Sequence, residues 1–189
     1  MDQKRKRCWW AKPDDELYVS YHDEEWGKPV HDDLKLFEML VLEGAQAGLS
    51  WTTILHKREN YRRAFDFFDV EKVANYGEKK EKELLQNIGI VRNKRKIQSA
   101  IKNARVFIDI QREFGSFDAY LWQYVNNQPI INYWHKPEDV PAETPLSQII
   151  SRDLKKRGMS FVGPTIVYAY MQSVGLVNDH LLSCFLRDA

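Results

Sequence analysis

The stretch GMSFVGPTIVYAYMQSVGLVNDHLLSC, residues 158–184, decides the fold that we predict for this chain. Gly158 is expected to end the helix before it, because a residue without a Cβ adopts the left-handed conformation that helix C-termini need. A tight apolar turn follows at residues 161–163, and Pro164 is favourable in the first turn of the next helix. Backbone N–H groups near Gly163 then have no partner within a helix and can bind a phosphate oxygen. On the turn alone, a plain glycine turn between two core helices remains the alternative.

The second half of this stretch contains two residues of metal-ligand type. Gly175 is expected to end the helix that begins near Pro164, and a last helix is expected to carry His180 and Cys184. Their spacing of four places both side chains on one face of a helix, as a tetrahedral metal site requires. The other cysteine of the chain is Cys8, and His22 is the histidine nearest to it. A Cys2His2 site made from these four residues would join the two ends of the chain.

Composition limits the possible classes of protein. The 189 residues suit one or two small domains, and 28 Lys and Arg residues nearly balance 27 Asp and Glu residues, so a nucleic-acid site must come from local clustering. No run of about 18 apolar residues predicts a membrane span. A disulfide between the two cysteines is possible, but no apolar segment follows the basic start of the chain. We therefore expect a cytoplasmic protein with two reduced thiols.

The pattern along the chain predicts an all-α fold, with two helical lobes and a cleft between them. Residues suited to cap helix N-termini precede several apolar periodic segments. These are Asp32 or Asp33, Ser50, Asp69, Ser116 and Thr144. Four of the seven prolines lie in residues 126–145, which predicts an irregular connection.

One acidic residue lies where an apolar one is expected. On a helical period, Glu43 shares a stripe with Leu36, Leu40 and Ala47. A buried carboxylate is costly without partners, so Glu43 is either hydrogen-bonded in the core or placed for a ligand. The residues alone leave both possibilities open.

A dense basic segment begins the long helix predicted over residues 92–115. Arg92, Lys94, Arg95 and Lys96 oppose the dipole at a helix N-terminus, so their charges need compensation. A DNA phosphate is one candidate for this compensation, and solvation is the commoner one.

Several short motifs of the sequence resemble those of the 3-methyladenine DNA glycosylase I family, a branch of the helix-hairpin-helix DNA glycosylases. They are Cys8-x-Trp10, Tyr21-His22-Asp23-x-x-Trp26-Gly27, Leu42-Glu43-x-x-x-Ala47-Gly48-Leu49-Ser50-Trp51, Lys57-Arg58-Glu59-x-Tyr61, Phe161-Val162-Gly163 and Gly175-Leu176-Val177-Asn178-Asp179-His180. Two departures from the superfamily point to this branch. Asn178 stands where relatives carry a catalytic aspartate, and Pro164 stands about where lyase-active members carry a lysine.

The resemblance implies one glycosylase domain over residues 1–189, with a helix-hairpin-helix region at about 147–175 and a zinc site from residues 8–22 and 180–184. It implies one structural Zn2+, held by Cys8, His22, His180 and Cys184. It implies base binding by Trp10, Tyr21, Glu43 and Trp51, with Glu43 and Tyr21 as catalytic residues. It implies DNA binding by Phe161, Val162, Gly163, Arg92 and Lys94.

The activity implied by the resemblance is hydrolysis of the N-glycosidic bond of 3-methyladenine in alkylated double-stranded DNA. This base-excision repair reaction would release the free base and leave an abasic site, without lyase activity, and we expect a monomer that does not bind membranes. The chemistry fits, because 3-methyladenine in DNA is cationic, so a desolvated carboxylate and aromatic faces can select it. Two alternatives remain open. One is a non-catalytic helix-hairpin-helix DNA-binding module, and the other is a protein-interaction domain whose two ends are joined by zinc.

Overall fold

A computed structural model describes residues 5–188 of the chain, and most of them are helical. The α-helices in chain order are α1 Glu16–Glu24, α2 Asp33–Gln46, α3 Trp51–Ala64, α4 Val70–Ala74, α5 Glu78–Gln86, α6 Lys94–Phe114, α7 Phe117–Trp122, α8 Pro145–Arg157 and α9 Pro164–Ser173. Short 3-10 turns are Asp66–Phe68, Gln123–Val125 and Pro137–Asp139. No helix among these residues is both long and apolar enough to cross a lipid bilayer.

Local capping explains where these helices begin. Asp32 accepts a 2.8 Å hydrogen bond from the Lys35 N–H, and Ser50 accepts one of 3.2 Å from the Thr53 N–H. Asp69, Ser116 and Thr144 cap α4, α7 and α8 in the same way. Each capping residue satisfies an N–H group that has no partner in the first turn of its helix, so the predicted helix starts are confirmed.

The prediction of an all-α fold needs one correction. Strand β1, Ile130–Ile131, pairs in parallel with strand β2, Val177–Asn178, and Ile130 lies opposite Val177. The proline-rich connection is irregular elsewhere, as predicted, but this pairing attaches it to the segment that follows α9.

The predicted last helix does not form. His180 lies in an irregular segment and Cys184 in the turns that follow it over residues 182–188, not in an α-helix. The Leu182 N–H donates to the Trp134 carbonyl at 3.0 Å, and the Phe185 N–H donates to the Lys6 carbonyl at 2.9 Å. These amide groups bond to remote segments, so they cannot make the i to i−4 bonds of a helix.

Helix α9 packs against both α2 and α8, and buried apolar side chains of the helices form one contiguous core. The Tyr170 hydroxyl donates a 3.1 Å hydrogen bond to the Leu36 carbonyl and so ties α9 to α2. Just after α9, Gly175 has a φ of +71°, and a Cβ there would lie 2.2 Å from the Lys28 carbonyl carbon. Only glycine lets the two segments meet this closely. The division into two lobes stays a prediction.

Candidate active site and metal cluster

A cavity of about 290 Å³ opens between the N-terminal segment, α1, α2, α3 and α9. Its walls include aromatic side chains, one carboxylate and the segment 140–142. The lining residues are Trp9, Trp10, Tyr21, Trp26, Glu43, Gln46, Trp51, Val140, Pro141, Ala142, Thr165, Tyr168, Ala169 and Gln172. All four residues predicted to bind the base (Trp10, Tyr21, Glu43 and Trp51) therefore line one cavity, although they come from three helices and the N-terminal segment.

Glu43 is the acidic residue of this cavity. Its side chain is buried, with 4% of the residue exposed. Burial raises the pKa of its carboxyl group to about 8, while a hydrogen bond with Ser173 acts in the opposite direction. The charged form of a carboxyl group loses hydration in such a site, so Glu43 holds its proton until a positive charge approaches.

Aromatic rings line the same cavity as this carboxyl group. The rings of Tyr21 and Trp51 are tilted by 44° with centroids 5.2 Å apart, and Trp10 lies 6.2 Å from Tyr21. Burial and the nearby Glu43 raise the pKa of Tyr21 well above its ordinary value, so its hydroxyl keeps its proton and can donate. Trp51 Nε1 is buried without a hydrogen-bond partner in the described part of the chain. These three aromatic residues and one carboxyl group therefore line the same cavity.

A buried ion network fixes the three helices that carry these residues. The Arg58 guanidinium on α3 donates two 2.8 Å hydrogen bonds to Glu25, at the end of α1, and one of 2.6 Å to Glu38 on α2. Arg58 is 5% exposed and Glu38 is 3% exposed. Bidentate contacts of this kind are strong and directional. The sequence analysis noted the motif that contains Arg58 but did not predict that this residue joins three helices.

A second buried acidic residue holds the far wall of the cavity. Asp179 is 1% exposed and accepts hydrogen bonds from side chains of α9 and of the 126–145 connection. The donors are Tyr168, Gln172, Asn132 and Trp134. Two of these, Tyr168 and Gln172, also line the cavity. Sequence reasoning missed these residues, because they are not close together in the sequence and follow no period.

The four residues predicted to hold a metal lie together and are all buried. The possible ligand atoms of Cys8, His22, His180 and Cys184 are within 4.8 Å of one another. His180 Nδ1 lies 3.4 Å from each sulfur atom, and His22 Nε2 lies 3.5 Å from Cys184 Sγ. Two thiolates and two imidazoles form a donor set typical of zinc.

Neighbouring groups orient both histidines toward the centre of this cluster. Asp23 accepts a 2.7 Å hydrogen bond from His22 Nδ1, so the lone pair of Nε2 faces the cysteines. The Trp26 carbonyl accepts a 3.2 Å hydrogen bond from His180 Nε2, so the lone pair of Nδ1 is the one that can bind a metal ion. Metal-binding histidines commonly have such outer partners. A Cβ on Gly27 would lie 3.1 Å from His180 Nε2, so glycine gives the ring room at this position.

The two cysteines are free thiols, so the alternative disulfide is not formed. A hydrogen bond between them raises the pKa of the Cys8 thiol and lowers the pKa of the Cys184 thiol. Cysteine binds a metal ion as the thiolate, so a metal ion bound here would displace the remaining thiol proton.

The turn 158–163 between α8 and α9 is held on both sides. Asn103 donates to the Ser160 carbonyl and accepts from the Ser160 N–H, both at 2.9 Å, and Ser151 donates a 2.6 Å bond to the Val162 carbonyl. Phe161 has a left-handed φ of 55°. No hydrogen bond within residues 5–188 uses the Gly163 N–H, and a Cβ there would meet no atom within 4 Å. The turn therefore presents an open backbone amide.

A groove of about 520 Å³ lies beside this turn. Phe161 lines it together with two cations of α6, Arg95 and Lys102. The predicted DNA-binding residues Arg92 and Lys94 are exposed but do not line this groove. The fourth cation at the start of α6 is Lys96, and it bonds to the end of α2 instead.

Lys96 explains how part of the basic segment is compensated. Its Nζ donates to the Ala45 and Ala47 carbonyls, at 2.8 and 2.6 Å. Lys96 therefore caps the C-terminus of α2, where a positive charge is favourable. Burial lowers the pKa of this amine.

Comparison with known proteins places the chain beside DNA repair enzymes. The sequence model of the family described as methyladenine glycosylase matches residues 9–187. DNA-3-methyladenine glycosylase 1 of Escherichia coli strain K12 is 48% identical over 179 residues, which cover 95% of each chain.

Solved structures agree with this match. A crystal structure of 3-methyladenine DNA glycosylase I superposes with a TM-score of 0.93 at 48% identity, covering 96% of this chain and 99% of the other. A variant of 3-methyladenine DNA glycosylase I in complex with 3-methyladenine superposes with a TM-score of 0.91 at 35% identity, covering 94% of this chain and 95% of the other. The chain therefore belongs to the methyladenine glycosylase family.

Proposed function

We propose that this protein is a DNA-3-methyladenine glycosylase, which hydrolyses the N-glycosidic bond of 3-methyladenine in alkylated DNA and releases the free base. The observation that carries the proposal is Glu43, a buried carboxyl group in an aromatic-lined cavity. A relative of this fold has been solved in complex with 3-methyladenine. The sequences named as DNA-3-methyladenine glycosylases match this chain over nearly their full length.

The cavity favours a cationic base for a physical reason. An adenine methylated at N3 in DNA carries a positive charge, and a positive charge stabilises the ionised form of Glu43. The rings of Trp10, Tyr21 and Trp51 offer faces on which a cation is attracted. Because the nucleotide must leave the duplex to reach the cavity, a damaged and weakly stacked base enters at the lowest cost.

Bond cleavage needs little help from a general base. Loss of the glycosidic bond neutralises the departing base, so a cationic base is a good leaving group. Asn178, at the position where relatives carry aspartate, donates its amide to the Arg187 carbonyl and accepts from the His180 N–H. It does not line the cavity. The chain's contribution is to bind the base through Glu43 and Tyr21, and water completes hydrolysis at the sugar.

We infer that the enzyme has no lyase activity. A lyase of this kind needs an amine that attacks the sugar carbon, and none of the described residues that line the cavity is a lysine. Pro164 occupies the first position of α9. DNA would instead be anchored by the amides at the turn 158–163 and by the cations of α6, because phosphate contacts position a protein without reading sequence.

We further propose that the Cys2His2 cluster binds one structural zinc ion. The donor set, the burial of all four residues and the outer hydrogen bonds of both histidines support this. With four protein ligands the ion would have no open position, so it would contribute to folding and take no part in the reaction. A monomeric state and a cytoplasmic location stay predictions.

The test is chromatography of the bases released when purified protein is incubated with methylated duplex DNA. We expect free 3-methyladenine from the wild type and much less from a Glu43→Gln variant. A protein that binds duplex DNA but releases no base would be a non-catalytic DNA-binding module. A protein with no salt-dependent DNA affinity would support a protein-interaction domain.

A further inference from the structure

The hydrogen bonds of Asp179 place a fixed acceptor in the cavity wall. All four of its side-chain partners act as donors toward its two carboxylate oxygens: Asn132 and Trp134 to Oδ1, Tyr168 and Gln172 to Oδ2. Asp179 itself is buried and does not line the cavity. Its effect on a ligand must therefore pass through the donors that do line it.

Gln172 is one of those donors, and its amide has only one orientation that satisfies Asp179. The Gln172 Nε2 group donates a 2.8 Å hydrogen bond to Asp179 Oδ2. An amide has an NH2 group at one side and a carbonyl oxygen at the other, and a carboxylate cannot donate to that oxygen. The NH2 group keeps one further N–H, and no hydrogen bond among the described residues uses Oε1, so Oε1 is the acceptor that Gln172 can offer to the cavity. The Gln172 backbone is also held, because its carbonyl accepts a 3.0 Å bond from the Gly27 N–H.

An oriented acceptor distinguishes bases that have the same shape. Adenine carries an exocyclic amine, which donates hydrogen bonds, whereas hypoxanthine carries a carbonyl oxygen at the same position. An oxygen facing an oxygen loses a hydrogen bond and leaves a polar group unpaired. We propose that Gln172 is a specificity-determining residue that accepts from the amine of the bound base, and that Asp179 is the positioning residue that sets its amide. This inference rests on the proposed glycosylase function.

The first test compares two ligands of the same shape that differ in this exocyclic group and in one ring N–H, so the change of their Kd ratio between two proteins is what reports on Gln172. Calorimetry would give the Kd of free 3-methyladenine and of 3-methylhypoxanthine for the wild type and for Gln172→Met, which keeps the side-chain length and removes the oxygen. We expect the wild type to prefer 3-methyladenine about tenfold, as the loss of one hydrogen bond suggests. Gln172→Met should weaken 3-methyladenine binding by about that factor, leave 3-methylhypoxanthine nearly unchanged, and bring the ratio close to one. An unchanged ratio would overturn the proposal, as would a wild type without preference.

The second test separates positioning from a merely structural role. In Asp179→Asn, the new amide can donate to Gln172 Oε1, so the Gln172 amide can turn its NH2 group toward the cavity. We expect weaker binding of 3-methyladenine and tighter binding of 3-methylhypoxanthine. Loss of packing alone would weaken both ligands by the same factor, and that result would contradict the role of Asp179. If Asp179→Asn does not fold, Gln172→Met alone decides the proposal.

A matched control removes a different donor of Asp179. Asn132 bonds to Asp179 Oδ1 and does not line the cavity. Asn132→Ala should lower the melting temperature and keep the ratio of the two Kd values, and a changed ratio would mean that any disturbance near Asp179 alters selectivity. Failure of the proposed function would look different, because the wild type would then bind neither ligand and release no base from methylated DNA.

Discussion

The Trp26 carbonyl accepts a 3.2 Å hydrogen bond from His180 Nε2, and the rings of these two residues meet edge to face with centroids 4.7 Å apart. Trp26 also lines the cavity. Trp10, on the same wall, lies 5.0 Å from the ring of His22. The metal cluster and the cavity thus share a wall, and a disturbance of the cluster should reach the bound base through two tryptophans.

We expect protein purified without added metal to contain about one zinc ion per chain. Cys184→Ser removes one ligand, so it should lower the free energy of unfolding by more than about 2 kcal/mol, because structural zinc contributes directly to folding. Metal analysis and thermal melting measure both effects. Ser183→Ala, at the neighbouring exposed position, is the control and should melt like the wild type. Metal-free wild type that melts and cleaves normally would refute the structural zinc.

The Glu43 carboxyl group should make activity depend on pH. Its pKa of about 8 means that ionisation, which a cationic base requires, becomes easier as the pH rises. We expect kcat/KM on methylated DNA to increase from pH 6 to about pH 8 and then to level off. Glu43→Gln should lose this increase and bind free 3-methyladenine roughly ten to a hundred times more weakly, since hydrogen bonds to charged groups contribute about 1.5–3 kcal/mol.

Binding of undamaged duplex is the control for this variant and should not change. If Glu43→Gln melts far earlier yet binds the base normally, Glu43 is a core carboxyl group and not part of a base-binding site.

The same group should make stability depend on pH in the opposite sense. Its folded-state pKa of about 8 lies above the ordinary value of 4.5, so the unfolded chain releases this proton first. The stability that Glu43 contributes is complete below pH 4.5 and is lost as the pH rises through about 8. In urea denaturation, the free energy of unfolding of Glu43→Gln should therefore rise by a few kcal/mol relative to that of the wild type over this pH range. One pKa unit corresponds to about 1.4 kcal/mol. A constant difference between the two proteins at all pH values would contradict the raised pKa.

The open amide at Gly163 should anchor DNA. A side chain at this position meets no protein atom, so Gly163→Val should fold normally and obstruct only an approaching phosphate. We expect affinity for damaged and undamaged duplexes to fall by the same factor, measured by fluorescence anisotropy. Gly77→Val is a matched control, because Gly77 also precedes a helix and also faces open space. Equal losses of affinity in both variants would indicate a capping effect and not a phosphate contact.

The absence of a lysine among the described cavity-lining residues predicts how the enzyme behaves with borohydride. Incubation with substrate DNA and borohydride should trap no covalent adduct, because no amine is placed to form a Schiff base. A glycosylase with known lyase activity serves as the positive control. An adduct on any lysine of this chain would show that the mechanism includes a covalent step.

Sequence reasoning succeeded where the cause is local. Ser50 and Thr144 cap helices because their hydroxyl groups reach the third residue that follows, and that relation is visible in the sequence. Glu43 stood out because it interrupts an apolar stripe, but the ligand-binding role that we propose for it followed from resemblance. The stripe alone could not distinguish a core carboxyl group from a cavity residue.

Sequence reasoning failed where the contacts join remote segments. The spacing of His180 and Cys184 suggested a helix, but the backbone there bonds to the segments around Lys6 and Trp134. Asp179 has four donors from two separate parts of the chain, and no period or motif connects them. Arg95 and Lys102 line the groove beside the turn, and DNA binding by Arg92 and Lys94, which do not line it, stays a prediction.

The contact between Trp26 and His180 spans 154 residues of sequence. The entropic cost of closing a loop grows slowly with its length, and a fold with many contacts of this range folds more slowly than one with local contacts. The wall of the cavity that contains Trp26 therefore depends on a segment far along the chain. A chain truncated before residue 180 would lack the partner of the Trp26 carbonyl, so a change at one end of the described chain would be felt in a cavity wall formed near the other.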